Sequence, residues 1–74
     1  MNNLDLNDVR TFVEVAEAGT LTAAAKELKC PASTPSRALT RLEKHLGFLL
    51  VQRGPRGLVL TDAGREYLST FAPA

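Results

Sequence analysis

Between residues 33 and 44 the chain places Ser33, Ser36, Arg37, Thr40, Arg41 and Lys44 within four turns of a helix. Against Pro35 as reference, Arg37, Arg41 and Lys44 fall about 180–240° away at about 100° per residue, and Leu39, Leu42 and Leu46 fall within about 40°. One helix would bury a leucine stripe and present hydroxyls and cations outward. Short hydroxyl side chains at a helix start let the backbone approach a phosphate, which the helix N-terminus attracts. An arginine one turn further along reaches past the backbone to a guanine edge. Arg53 and Arg56 add two cations close to a Gly54-Pro55 turn. These types and spacings point to contact with a polyanion, double-stranded DNA above all.

Other chemistry finds no support. The single cysteine, Cys30, cannot close an internal disulfide, and with the single histidine, His45, it cannot complete a zinc site. Cys30 reads as a small core residue and His45 as a surface or helix-end residue. No metal or cofactor is expected. Neither a nucleophile with its base nor paired carboxylates in a pocket can be assembled, so no enzyme is expected. A third reading, a domain used only for protein contact, would show as a salt-insensitive partner and no retention on DNA.

The chain has 74 residues, 45% of them hydrophobic and 23% charged, which fits one small domain with little room for an enclosed substrate pocket. The net charge is only +1, but it is unevenly distributed. Residues 1–27 set Arg10 and Lys26 against Asp5, Asp8, Glu14, Glu17 and Glu27, a net of −3. Residues 28–56 set Lys29, Arg37, Arg41, Lys44, Arg53 and Arg56 against Glu43 alone, a net of +5. A basic middle inside a near-neutral domain suits a polyanion held on one face. Its rival is a solvated basic face with no partner. No apolar run approaches a membrane span, the start lacks a basic secretory n-region, and a lone thiol suits a reducing cytoplasm.

The elements that must position these residues follow from apolar periodicity and its interruptions. Leu6, Val9, Phe12, Val13 and Ala16 form one side of a helix over about 6–18, with Asp5 as N-cap and Gly19 as stop. Thr20 or Thr22 caps a second helix whose buried stripe is Leu21, Ala24, Ala25 and Leu28. Gly47 ends the third. Residues 48–53 and 58–61 flank the turn at 54–57 and read as a β-hairpin. Thr61-Asp62 caps a last helix carrying Ala63, Tyr67 and Leu68. Helix, small-residue helix, turn, basic helix and hairpin in that order make a mainly α winged helix-turn-helix: three helices, a two-stranded wing, and the start of a further helix. The third helix, about 32–46, would enter the major groove, and the wing, about 53–57, would lie along the backbone or in the minor groove.

The residues also carry a resemblance. Asp5-Leu6-Asn7-Asp8-Val9-Arg10-Thr11-Phe12, Ala18-Gly19-Thr20-Leu21-Thr22-Ala23-Ala24-Ala25, Ser36-Arg37 with Arg41-Leu42-Glu43 and Leu46-Gly47, Arg53, and Leu60-Thr61-Asp62-Ala63-Gly64 resemble the N-terminal domain of LysR-type transcriptional regulators. The resemblance runs from about residue 5 to about 70. It implies a bacterial, cytoplasmic, sequence-specific DNA-binding regulator. It implies a homodimer formed through a long linker helix, with tetramers possible. It implies a far larger C-terminal domain that binds a small effector and is absent here. Residues 1–61 would then be the DNA-binding domain, and 62–74 the first part of a linker helix within which the chain is cut. The DNA-binding set expected on these grounds is Ala32, Ser33, Thr34, Ser36, Arg37, Thr40, Arg41, Arg53 and Arg56.

Two departures stand at the helix start. Pro31 and Ala32 replace the Ser-Gln usual in the family, so an adenine-reading amide is lost and a methyl is offered to thymine instead. Pro35 replaces Val or Leu. The helix therefore starts either near Ala32, with Pro35 closing a loosened first turn, or at Pro35 with Thr34 as N-cap; the first is favoured. Local alternatives remain for single residues: capping for Ser33 and Thr34, an ion pair with Glu43 or Asp62 for Arg53, and solvation for Arg56.

Overall fold

The computed structural model describes residues 5–54 and 57–71. Helix α1 spans Leu6–Ala18; the Asp5 carboxylate accepts from the Asn7 amide at 2.8 Å, and Gly19 ends the helix at φ 87°. Helix α2 spans Leu21–Leu28, and its cap is Thr20, whose hydroxyl accepts from the Ala23 amide at 3.0 Å. Helix α3 spans Ser33–Leu46 and stops at Gly47 with φ 83°, where the lack of a Cβ permits the left-handed turn. Strands β1 (Val51–Gly54) and β2 (Gly57–Leu60) pair antiparallel, with Val51 opposite Leu60 and Arg53 opposite Leu58. Helix α4 spans Asp62–Phe71. The architecture is the mainly α winged helix-turn-helix expected from the sequence.

The core is one cluster: Val9, Phe12, Val15, Ala24, Leu39, Leu42, Leu50 and Val51. Ala24 and Ala25 are buried where α2 is packed, and their small side chains let helices approach closely. Phe12, Leu39, Leu42 and Leu50 are fully buried, each contributing about 1.5–3 kcal/mol of transfer free energy.

Three expectations need correction. The buried line of α1 runs through Asp8, Val9, Phe12 and Val15, and Leu6 is 69% exposed. The helix is thus rotated from its simplest apolar stripe, because a charged residue, Asp8, is drawn inward by a partner on α3. Leu28 is exposed rather than part of the α2 stripe; it is the last residue of an eight-residue helix, next to Lys29 at φ 57°, where the chain turns away. Phe48, Leu49 and Leu50 lie outside the hairpin, which begins at Val51. They are a connection whose backbone is held by side chains of α3 and of the residue before α4.

The start of α3 agrees with the favoured reading. Ala32 is its N-cap, without a side-chain capping bond, and Pro35 is the third helical residue. The turn is regular rather than loosened: the Thr34 amide donates to the Pro31 carbonyl at 3.0 Å and the Ser36 amide to the Ala32 carbonyl at 3.3 Å. Proline costs nothing here, because the first amides of a helix have no intrahelical acceptor. Its ring is fully buried, so it serves the core as the expected Val or Leu would.

Candidate nucleic-acid interface

Helix α3 divides as its periodicity demands. Pro35, Ala38, Leu39 and Leu42 are buried, and Ala32, Ser33, Thr34, Arg37, Thr40, Arg41 and Lys44 are exposed, with Ser36 half-buried. The structure therefore gathers seven of the nine expected residues on the outward side and start of one helix. Arg53 lies exposed on β1. Arg56 lies outside the described residues.

The two outward arginines of α3 differ in state. Arg37 makes no ion pair among the described residues. Arg41 donates through Nε to Asp8 at 3.1 Å and through Nη2 at 2.8 Å, a two-pronged bridge from α3 to α1. The hydrogen bond to Asp8, and then its charge, push the Arg41 pKa still further up, so the guanidinium is permanently charged. Sequence reading placed Arg41 on the outward stripe and Asp8 at the positive end of α1; it did not join them. The partners stand 33 residues apart, and no local pattern connects them.

The hydroxyls are partly engaged. Thr40 donates to the Ser36 carbonyl at 3.1 Å, a bond within the helix that leaves its oxygen lone pairs outward. Ala32 supplies no side-chain cap to the positive end of α3, where the Thr34 amide is already taken by the Pro31 carbonyl and Pro35 has no N–H to offer. Capping, the local alternative for Ser33 and Thr34, is not what they do. Lys44 and His45 occupy the last turn, where the Lys44 charge meets the negative end of the helix dipole.

The wing is fixed relative to α3 by Glu43, which sequence reading offered only as an ion-pair partner for Arg53, and by Thr61, which caps α4 as expected and also grips the segment before the hairpin. Glu43 accepts from the Leu50 amide at 2.8 Å and the Val51 amide at 3.3 Å. Thr61 donates its hydroxyl to the Leu49 carbonyl at 2.6 Å and accepts from the Gly64 amide at 2.8 Å. Both were visible as fragments, Leu42-Glu43 and Leu60-Thr61-Asp62. The backbone they grip lies in an irregular segment that periodicity cannot place. Their use also bears on Arg53: Glu43 is committed to amides, and Asp62 pairs with Arg65. Arg53 bridges to neither of its two expected partners.

No group of three or more His, Cys, Asp or Glu among the described residues is arranged to hold a metal. Cys30 is half-buried at the turn between α2 and α3. No helix among those described is long and apolar enough to cross a membrane.

Comparison with known proteins places this geometry. Residues 6–65 match the profile of the bacterial regulatory helix-turn-helix proteins of the lysR family. The chain is 46% identical over 63 residues to an HTH-type transcriptional regulator of Xanthomonas campestris pv. campestris, covering 85% of this chain and 18% of that protein. It is 40% identical over 65 residues to the regulator TfdS of Cupriavidus pinatubonensis, covering 88% of this chain and 22% of that protein. The chain thus spans about a fifth of the length of these relatives. Among solved structures, the CbnR_DBD–DNA complex is similar with a TM-score of 0.86 at 38% identity, covering 89% of this chain and 76% of that one. The complex of BenM_DBD with benA site 1 DNA gives 0.84 at 33% identity, covering 89% and 74%. With a profile match over most of its length and the winged architecture in place, the chain belongs to the lysR family of bacterial regulatory helix-turn-helix proteins.

Proposed function

We propose that this chain binds double-stranded DNA sequence-specifically as the DNA-reading part of a transcriptional regulator, with α3 in the major groove and the wing against the backbone or minor groove. One observation carries the reading: an unpaired, exposed Arg37 on the face of α3 opposite the buried leucines, with Arg53 exposed on the first strand of the hairpin. Two of the similar solved structures are DNA complexes of such domains. Arg37 reads a base edge. Ser33, Thr34 and Ser36 approach the backbone from the start of the helix and Thr40 from its outward side, Ala32 offers its methyl, and Arg41, Arg53 and Arg56 hold phosphates.

In this reading the cytoplasmic regulator is a homodimer paired through the helix that begins at residue 62, with tetramers open to the full-length protein. A small effector binds elsewhere in that protein. Phe71, 44% exposed at the end of α4, is an apolar residue that such pairing would cover. The protein does not act as an enzyme.

Titration of the chain against a palindromic duplex and a scrambled one, at several salt concentrations, tests the proposal. Affinity should fall steeply with salt on both duplexes and favour one of them. A chain that bound neither duplex, or bound a protein partner without salt dependence, would overturn it.

A further inference from the structure

We propose that Asp8 is a positioning residue for DNA binding: from α1 it holds the Arg41 guanidinium so that its free edge meets a backbone phosphate. The proposal rests on the DNA-binding reading of α3. The Asp8 side chain is only 7% exposed and that of Arg41 is 61% exposed, so a buried carboxylate grips an arginine whose far side faces solvent. A guanidinium has five N–H donors arranged in forks. Asp8 takes Nε and one position on Nη2. The terminal edge, formed by Nη1 and the second Nη2 hydrogen, is left for an anion, and two parallel N–H donors match a phosphate. Arg41 follows Arg37 by one turn, about 40° around the same helix. Its outward edge therefore flanks the groove-facing row on the side toward α1.

Two arguments favour positioning over simple cohesion. An ion pair whose arginine is mostly exposed is a weak source of stability, because solvent screens its attraction. A free arginine samples many rotamers, and ordering it on a phosphate costs that freedom. Here the cost is met within the fold. The arrangement also runs against net charge: Asp8 brings a negative group near the surface that is to meet DNA. Removing that charge should strengthen binding if electrostatics alone acted, and weaken it if placement of Arg41 matters.

A double-mutant cycle of Asp8→Asn and Arg41→Ala decides this, with duplex binding titrated at several salt concentrations and folding followed by circular dichroism. Arg41→Ala should lower affinity for preferred and scrambled duplexes alike, by about eightfold at 0.1 M salt, and reduce the salt slope by about one. Asp8→Asn should weaken binding about two- to tenfold in the native background and not at all in Arg41→Ala. An Asp8→Asn chain that binds as well as or better than the native one overturns the proposal, as does an equal loss in both backgrounds. If Asp8→Asn does not fold, Arg41→Lys carries the test: it keeps the charge and loses the fork. Reduced affinity then supports the proposal and native affinity overturns it. Arg37→Ala serves as control. Loss of discrimination there, with no effect at Asp8 or Arg41, defeats this proposal alone; absence of duplex binding by the native chain defeats the DNA reading itself.

Discussion

The Glu43 carboxylate on α3 accepts the Leu50 amide at 2.8 Å, so the helix and the segment leading into the wing are joined through a single side chain. The same oxygen takes the Val51 amide at 3.3 Å. Leu50 and Val51 are both buried, and their amides would otherwise stand unpaired next to the core. Glu43→Ala should therefore cost about 1–3 kcal/mol of stability. Glu43→Gln, which keeps an acceptor, should cost less. Urea unfolding of the two variants checks the order, which would reverse if the carboxylate were merely a surface charge.

Gly64 is buried against the chain at Leu50, and a Cβ at that position would collide with the Leu50 carbonyl oxygen. Both groups belong to backbone, so neither has room to yield. Helix α4 can seat on the core only where one residue has no side chain. Gly64→Ala should destabilise by about 1–3 kcal/mol or more, seen as a lower urea midpoint at unchanged slope.

Much of the fold was legible because its punctuation is local. Asp5, Thr20, Gly19 and Gly47 cap or stop helices within three residues of the groups they serve. Apolar spacing also identified the buried side of α3, and hence the outward placement of Arg37. What escaped was non-local. Leu6 suits an apolar stripe, yet Asp8 takes the buried place because Arg41 meets it across 33 residues. Phe48-Leu49-Leu50 has the composition of a strand, yet Glu43 and Thr61 bind its backbone from either side and hold it outside the hairpin. Pro35 looked disruptive in isolation; at the third helical position it displaces no hydrogen bond.

Tyr67 packs its ring against Phe12, Phe48 and Phe71 at centroid separations of 6.0, 6.3 and 5.0 Å. Its hydroxyl is buried without a hydrogen-bond partner. Burial raises the Tyr67 pKa above its usual value of 10.0 by disfavouring the phenolate. The folded state thus keeps its proton at a pH where the unfolded chain has lost it, and stability declines as pH rises through about 10. Tyr67→Phe should remove this alkaline decline and leave neutral-pH stability equal or higher by up to about 1 kcal/mol. Melting temperatures between pH 7 and pH 11 would show it; a clear loss at neutral pH would mean that the hydroxyl has a partner in solution.

In the proposed complex α3 reads bases through Arg37 while the wing holds the backbone through Arg53. The most direct measurement is a titration of Arg37→Ala and Arg53→Ala against a preferred and a scrambled duplex at several salt concentrations. Both residues are exposed, so both variants should fold as the native chain does. Arg37→Ala should cost about 1–3 kcal/mol on the preferred site and flatten discrimination at one or two positions. Arg53→Ala should weaken both duplexes equally and lower the salt slope by about one. An Arg37→Ala chain that kept its full preference for one duplex would contradict the claim.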